Sequence, residues 1–177
     1  MKRASVLSVF LFGFCSQAYA SDIAEDFYDK SYLQVEACFE IDPVQREQCV
    51  ISGIQRCEKA LEKVLFRNGL GSPGGGAVSP REYCNFIGLE RADEHLNAVY
   101  NRILKQGPLI AHDETALPNL RSAQRLWLQF SSELCSEDNI VGWHAGGSGW
   151  GAVTAECTTR LSIQQAGHLE RYFTISD

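Results

Sequence analysis

The cysteines are the first side chains in this chain that could do chemistry. Cys38, Cys49, Cys57, Cys84, Cys135 and Cys157 remain once an amino-terminal segment carrying Cys15 is set aside. They form no C-x-x-C pair, and no two histidines lie four residues apart, so the pattern argues against zinc and offers no other metal site. In an exported chain six cysteines instead point to three disulfides, for which sequence alone allows 15 connectivities. The second feature is the run Gly142-Trp143-His144-Ala145-Gly146-Gly147-Ser148-Gly149-Trp150-Gly151 between Cys135 and Cys157. Two tryptophans, a histidine and a serine among glycines suit a recognition loop, because aromatic anchors dominate interface energetics.

Catalytic motifs fail on inspection. Gly146-Gly147-Ser148-Gly149-Trp150 has Trp150 where a nucleophile elbow needs its last glycine, and no strand pattern precedes it. Gly71 to Gly76 lacks the Lys-Ser/Thr of a phosphate loop. No pair of carboxylates stands out from the ordinary helical background. The chain reads as a non-enzyme that needs no cofactor.

Lys2 and Arg3 precede an apolar run from Val6 to Phe14, and Ala18-Tyr19-Ala20 forms an A-x-A cleavage site, so residues 1–20 read as a signal peptide. Phe14 before Cys15 does not suit lipidation. No later segment is apolar and long enough to cross a membrane. Removing Lys2 and Arg3 leaves 14 basic residues against 22 acidic ones, a formal charge of −8. That balance disfavours nucleic acid and anionic membranes and suits a cationic protein partner. The expected location is periplasmic or secreted, in soluble form.

These residues need elements to hold them. Asn68 to Pro80 contains five glycines and two prolines and reads as a linker or long loop. It separates a helical hairpin over 21–67 from a domain over 81–177. In the hairpin, Asp42-Pro43 is an N-cap with proline at the first helical position, and Val50/Ile51, Ile54, Cys57, Leu61 and Val64/Leu65 make one apolar face. A thin hairpin of this kind needs staples. The larger domain carries three helical patterns. The first has Phe86, Leu89, Leu96, Val99/Tyr100 and Ile103 on its apolar face and ends at Gly107-Pro108. The second opens at Pro118 or Asn119, with Leu120, Ala123, Trp127 and Leu134 inward. The third runs from about Val153 to Phe173, with Cys157, Leu161, Gln164/Gln165, His168 and Tyr172 along one face. Strand-like alternation is nearly absent. The predicted class is all-α: a small disulfide-stapled helical bundle, with an N-terminal hairpin joined by a Gly/Pro-rich linker.

Several of these residues also stand in a recognisable order. Cys84 is followed by Asp93, Leu96, Asn97 and Tyr100 (D-x-x-L-N-x-x-Y), then by Ala123, Gln124 and Trp127 (A-Q-x-x-W) and Cys135. A Gly/Ser loop, Cys157, Arg160-Leu161, and Leu169 with Tyr172 complete the series. Over about residues 83–173 the chain resembles the LprI-type family of secreted lysozyme inhibitors. The resemblance implies a Cys135–Cys157 bond that would pin both ends of the Gly/Trp loop. The family usually has another cysteine shortly upstream of the position matched by Cys84, where this chain has its glycine linker. Cys84 is therefore expected to pair with Cys57 or Cys49, or to stay free, and the pairing of Cys38, Cys49, Cys57 and Cys84 stays open.

The resemblance implies a binding protein that occludes a lysozyme cleft without turnover. The expected contact residues are Trp143, His144, Gly147, Ser148 and Trp150, with hydrogen-bond donors facing the two carboxylates of the target. Each tryptophan could instead fold back onto the bundle. Arg81, Arg91, Arg121 and Arg125 are cationic alternatives, each more simply read as solvated surface or, for Arg91, as a partner of Glu90 and Glu94. Trp127 is expected in the core. Asn97 and Gln124 are expected to be structural, Asn97 bonding a helix end or loop backbone, and Tyr100 and Tyr172 to be bundle residues. His95, His112 and His168 have no partners at informative spacing and are expected at the surface or half-buried. The competing reading is an envelope interaction module that does not inhibit lysozyme.

Overall fold

The computed structural model describes residues 27, 30, 34–70, 79–110, 113–143 and 149–173. The signal-peptide reading of 1–20, most of the linker, His112 and loop positions 144–148, with the expected contact residues His144, Gly147 and Ser148, lie outside them. The fold is all-α. A 3-10 turn at Ala37–Glu40 precedes α1 (Pro43–Arg67), α2 (Pro80–Ile110), α3 (Ala116–Leu134), α4 (Glu137–Trp143) and α5 (Trp150–Phe173). Asp42 caps α1, its side chain accepting from the Val44 N–H at 2.8 Å, with Pro43 where no N–H is needed. No helix among the described residues is long and apolar enough to cross a membrane.

The long parallel pair α2 and α5 forms the spine, with Glu82 beside Gly151, Gly88 beside Thr159 and His95 beside Glu170. The inward face of α5 consists of Ala152, Ala155, Thr159, Ser162, Ile163, Ala166 and Leu169, spaced at helical period but small. Small side chains let two backbones approach closely, and the buried hydroxyls stay satisfied locally: Thr159 Oγ1 donates to the Ala155 carbonyl at 2.7 Å. This corrects the expected face. Leu161 is only half-buried, while His168 and Tyr172 point outward and meet each other edge to face at 6.4 Å. An apolar pattern selects large residues; here the interior is chosen for closeness.

Three further expectations need correction. On α2 the buried line runs through Cys84, Ile87, Ala92, Leu96, Val99 and Ile103, leaving Phe86 half-exposed. Gly88 explains the rotation, because a Cβ there would sit 2.4 Å from Ile54 Cδ1, so α1 packs directly onto the α2 backbone. Helix α2 also runs through Gly107 and Pro108 to Ile110. Gly107 acts as a seat for Leu117, whose Cδ2 would lie 2.3 Å from an added Cβ, and not as a stop. On α3 the buried positions are Leu120, Gln124 and Ser131, with Trp127 half-buried beside them, while Ala123 and Leu134 face outward. Gln124 can be buried because its Oε1 accepts from Gln165 Nε2 at 2.9 Å.

Two apolar clusters result. The first joins Val35, Cys38 and Phe39 with Val50, Ile54 and Leu61 of α1, Ile87 and Ala92 of α2, and Ile163 of α5. The second holds Leu96, Val99, Ile103, Leu120, Ala166 and Leu169, with Tyr100 and Trp127 at its edge. Disulfides Cys38–Cys49 and Cys57–Cys84 lie in the first, so α1 is tied covalently to α2.

Candidate functional site

The third disulfide, Cys135–Cys157, joins the end of α3 to the first turns of α5 across 22 residues. Closing a loop of that length removes roughly 3 kcal/mol of unfolded-state entropy. Inside it the chain is more ordered than a loop from Asn139 would be. Asn139 lies in α4, where its N–H donates to Ser136 Oγ at 3.3 Å and its Nδ2 to the Leu134 carbonyl at 3.0 Å, capping the end of α3. Ile140 is buried. Of the expected contact residues, the structure places Trp143 at the last position of α4 and Trp150, half-buried, at the first of α5. Gly149 precedes Trp150 at φ 139°, a conformation open to glycine. Gly151 lies against α2, where an added Cβ would meet Glu82 Oε1 at 2.5 Å. The carboxyl end of the bracketed segment is thus held against the start of α2.

Ion pairs missed by pattern reading hold the opposite flank. Arg46 on α1 is buried and donates to Glu170 on α5 at 2.7 Å and to the Ile41 carbonyl at 3.3 Å. The other Glu170 oxygen lies 3.3 Å from His95 Nε2, and the His95 ring stacks on Phe39 at 4.9 Å. His95 therefore has a defined place at the junction of three helices. Burial, and then the neighbouring Arg46 charge, hold its pKa below the ordinary histidine value despite Glu170. Arg91 pairs with Glu94, as its spacing suggests, but it is buried and also lies 3.8 Å from Glu36. Asn97 is exposed and donates one turn back to Asp93 at 3.0 Å instead of reaching a helix end. Arg121 and Arg125 lie on the exposed side of α3, and Arg81 at the start of α2.

The signal that could have found Arg46 is an arginine one residue before Glu47 on an amphipathic helix, but its partner Glu170 lies 124 positions away. Local spacing carries no information on such a pair.

Among the described residues, no three His, Cys, Asp or Glu side chains gather as a metal site. What the arrangement offers is a rigid helical frame presenting a disulfide-bracketed segment with a tryptophan at each inner edge. A family model described as Lysozyme inhibitor LprI matches residues 79–169, from the start of α2 to Leu169 of α5. No curated protein and no solved structure matches the chain. The matched segment includes the spine, α3, α4 and the Cys135–Cys157 bracket, and leaves out α1. Since it spans just over half of the 177 residues, the chain belongs to the LprI family of lysozyme inhibitors.

Proposed function

We propose that the protein is an exported inhibitor that binds a lysozyme and covers its active-site cleft without turnover. The observation that carries this reading is the family match across the whole bracketed frame. Supporting it, the Cys135–Cys157 bond fixes both ends of the segment carrying Trp143, His144, Gly147, Ser148 and Trp150. A segment held in shape loses less entropy on binding. Its hydrogen-bond donors would face the two carboxylates that a lysozyme places around the sugar bond. The interface would be of standard size, about 800 Å² per partner. The acidic chain would speed encounter with a cationic target, an effect that salt weakens. Disulfides suit an oxidising compartment outside the cytoplasm.

The test is titration of the oxidised mature protein into c-type, g-type and i-type lysozymes digesting cell-wall substrate. Saturating inhibition near one-to-one stoichiometry is expected with at least one type, and Ser148→Trp and His144→Glu should each weaken it. Inhibition unchanged in both variants would remove the loop from the interface. No inhibition of any type would refute the reading.

A further inference from the structure

We infer that a cleft between α1, α2 and α5 receives the ammonium or guanidinium group of a basic side chain on the protein partner. The cleft measures about 330 Å³ and is lined by Glu58 and the isoleucines Ile51 and Ile54 from α1, Arg81 and Asn85 from α2, and Glu156 from α5. That is near the lower end of ligand-sized pockets, with room for one side chain.

Its polar wall is fixed by the disulfides. Glu58 directly follows Cys57, Asn85 directly follows Cys84, and Cys57 and Cys84 are bonded, so the two side chains are set side by side: Asn85 Nδ2 donates to Glu58 Oε1 at 3.0 Å. Its second N–H goes to the Arg81 carbonyl at 2.8 Å. Glu156 directly precedes Cys157 of the second relevant bond. Asn85 is 1% exposed, yet its Oδ1 has no hydrogen-bond partner. A buried acceptor in that state costs free energy, which an incoming N–H group would recover once a small shift of the Asn85 amide brings Oδ1 to the cleft.

Charge selects the ligand's sign. Glu58 and Glu156 line the cleft against Arg81, Glu62 adds its negative charge near Glu58, and Arg160, which pairs with Glu156 at 2.8 Å, is shared with Glu47 at 2.5 Å. Burial pushes the Glu58 carboxyl above the ordinary glutamate value, Arg81 and Asn85 pull it back, and Glu62 and Glu156 push it further up. A desolvated carboxylate gains more from a cation than an exposed one does. Position ties the cleft to the bracketed segment. Gly151 abuts Glu82, and Glu156 lies five residues further along α5, about 8 Å at 1.5 Å per residue. A protein seated on the segment could therefore place a lysine or arginine in the cleft.

This inference rests on the inhibitor reading for its occupant, and two measurements separate them. In the first, ethylguanidinium is titrated into the ¹⁵N-labelled, oxidised mature protein. Saturable shifts are expected at the Asn85 side-chain amide and at the Glu58 and Glu156 backbones. Glu58→Gln keeps an acceptor for Asn85 and should weaken binding about tenfold, about 1.4 kcal/mol. Arg81→Ala removes a competing cation and should tighten it. In the second, the two variants are titrated against the inhibited lysozyme and should move inhibition in the same opposite directions. No saturable shift, or equal affinity in both variants, overturns the cleft and leaves inhibition by the wild type standing. Guanidinium binding with unchanged lysozyme inhibition by Glu58→Gln overturns the protein side chain as occupant in favour of a small free cation. Failure of the wild type to inhibit any lysozyme overturns the inhibitor reading, and with it the lysozyme occupant.

Discussion

The two apolar clusters are built differently. The one around α1 gathers Val50, Ile54, Leu61, Ile87 and Ile163, all nearly inaccessible, and is crossed by two disulfides. The one beneath α3 has six buried members, and only Leu120 comes from α3 itself. Outward of it, α3 shows Leu126, Leu128, Phe130 and Leu134, each at least 41% exposed. The first cluster is held by side-chain burial with covalent ties inside it. In the second, α3 leans on the buried Leu120, Leu117 seated on Gly107, a half-buried tryptophan, the Gln124–Gln165 bond and the disulfide at its end. Stability is thus concentrated around α1, whereas α3, the helix that leads into the bracketed segment, is lightly packed and depends most on the Cys135–Cys157 bond.

The contrast can be broken by substitution, beginning with the largest effect. Leu61→Ala empties a fully buried position and should cost about 2–5 kcal/mol in urea unfolding. Leu120→Ala should fall clearly below it, and equal losses would erase the difference between the clusters. Replacing Cys135 and Cys157 together by serine should cost about 3 kcal/mol. Amide exchange should quicken in α3 and α4 before α1 and α2, so uniform acceleration would contradict the local role of that bond. Gly88→Ala drives a methyl into Ile54 and should lose about 1–3 kcal/mol. Leu126→Ser on the outer side of α3 should stay within about 0.5 kcal/mol of the wild type.

A pH experiment sharpens the account of the Arg46–Glu170–His95 junction. The folded-state pKa of His95 lies below its unfolded value, so the unfolded chain binds the proton more readily. Stability from this group is intact above about pH 6.5 and declines as pH falls through that value. His95→Gln should flatten the decline in urea midpoint between pH 7.5 and 5.5. An unchanged slope would show that other groups carry it.

Much of the fold was legible. The Asp42-Pro43 start, the α1 face through Val50, Ile54, Cys57 and Leu61, and the absence of strand alternation are local signals, and the helices follow them. The face of α5 was not legible, because Ala152, Ala155, Ser162 and Ala166 are buried for their size and leave little apolar signature. Gly107 reads as a stop for a related reason: it admits a neighbouring helix, as Gly88 does for α1, and no single-chain pattern reveals such an approach. Buried Arg46 and Arg91 depend on partners from other elements or on tertiary burial, so spacing could not distinguish them from surface arginines. At the candidate site, the cysteine positions and the Trp143–Trp150 segment were visible in sequence. The Glu58–Asn85 pair was not, because it joins side chains 27 positions apart on two packed helices beside the Cys57–Cys84 bond.

The most direct test of the central claim compares oxidised wild type with the Cys135→Ser/Cys157→Ser variant in one lysozyme titration. The account predicts a one-to-one endpoint for the wild type and a markedly weaker inhibition constant for the variant, with α1 and α2 still folded by circular dichroism. A wild type that leaves every lysozyme type fully active would contradict it.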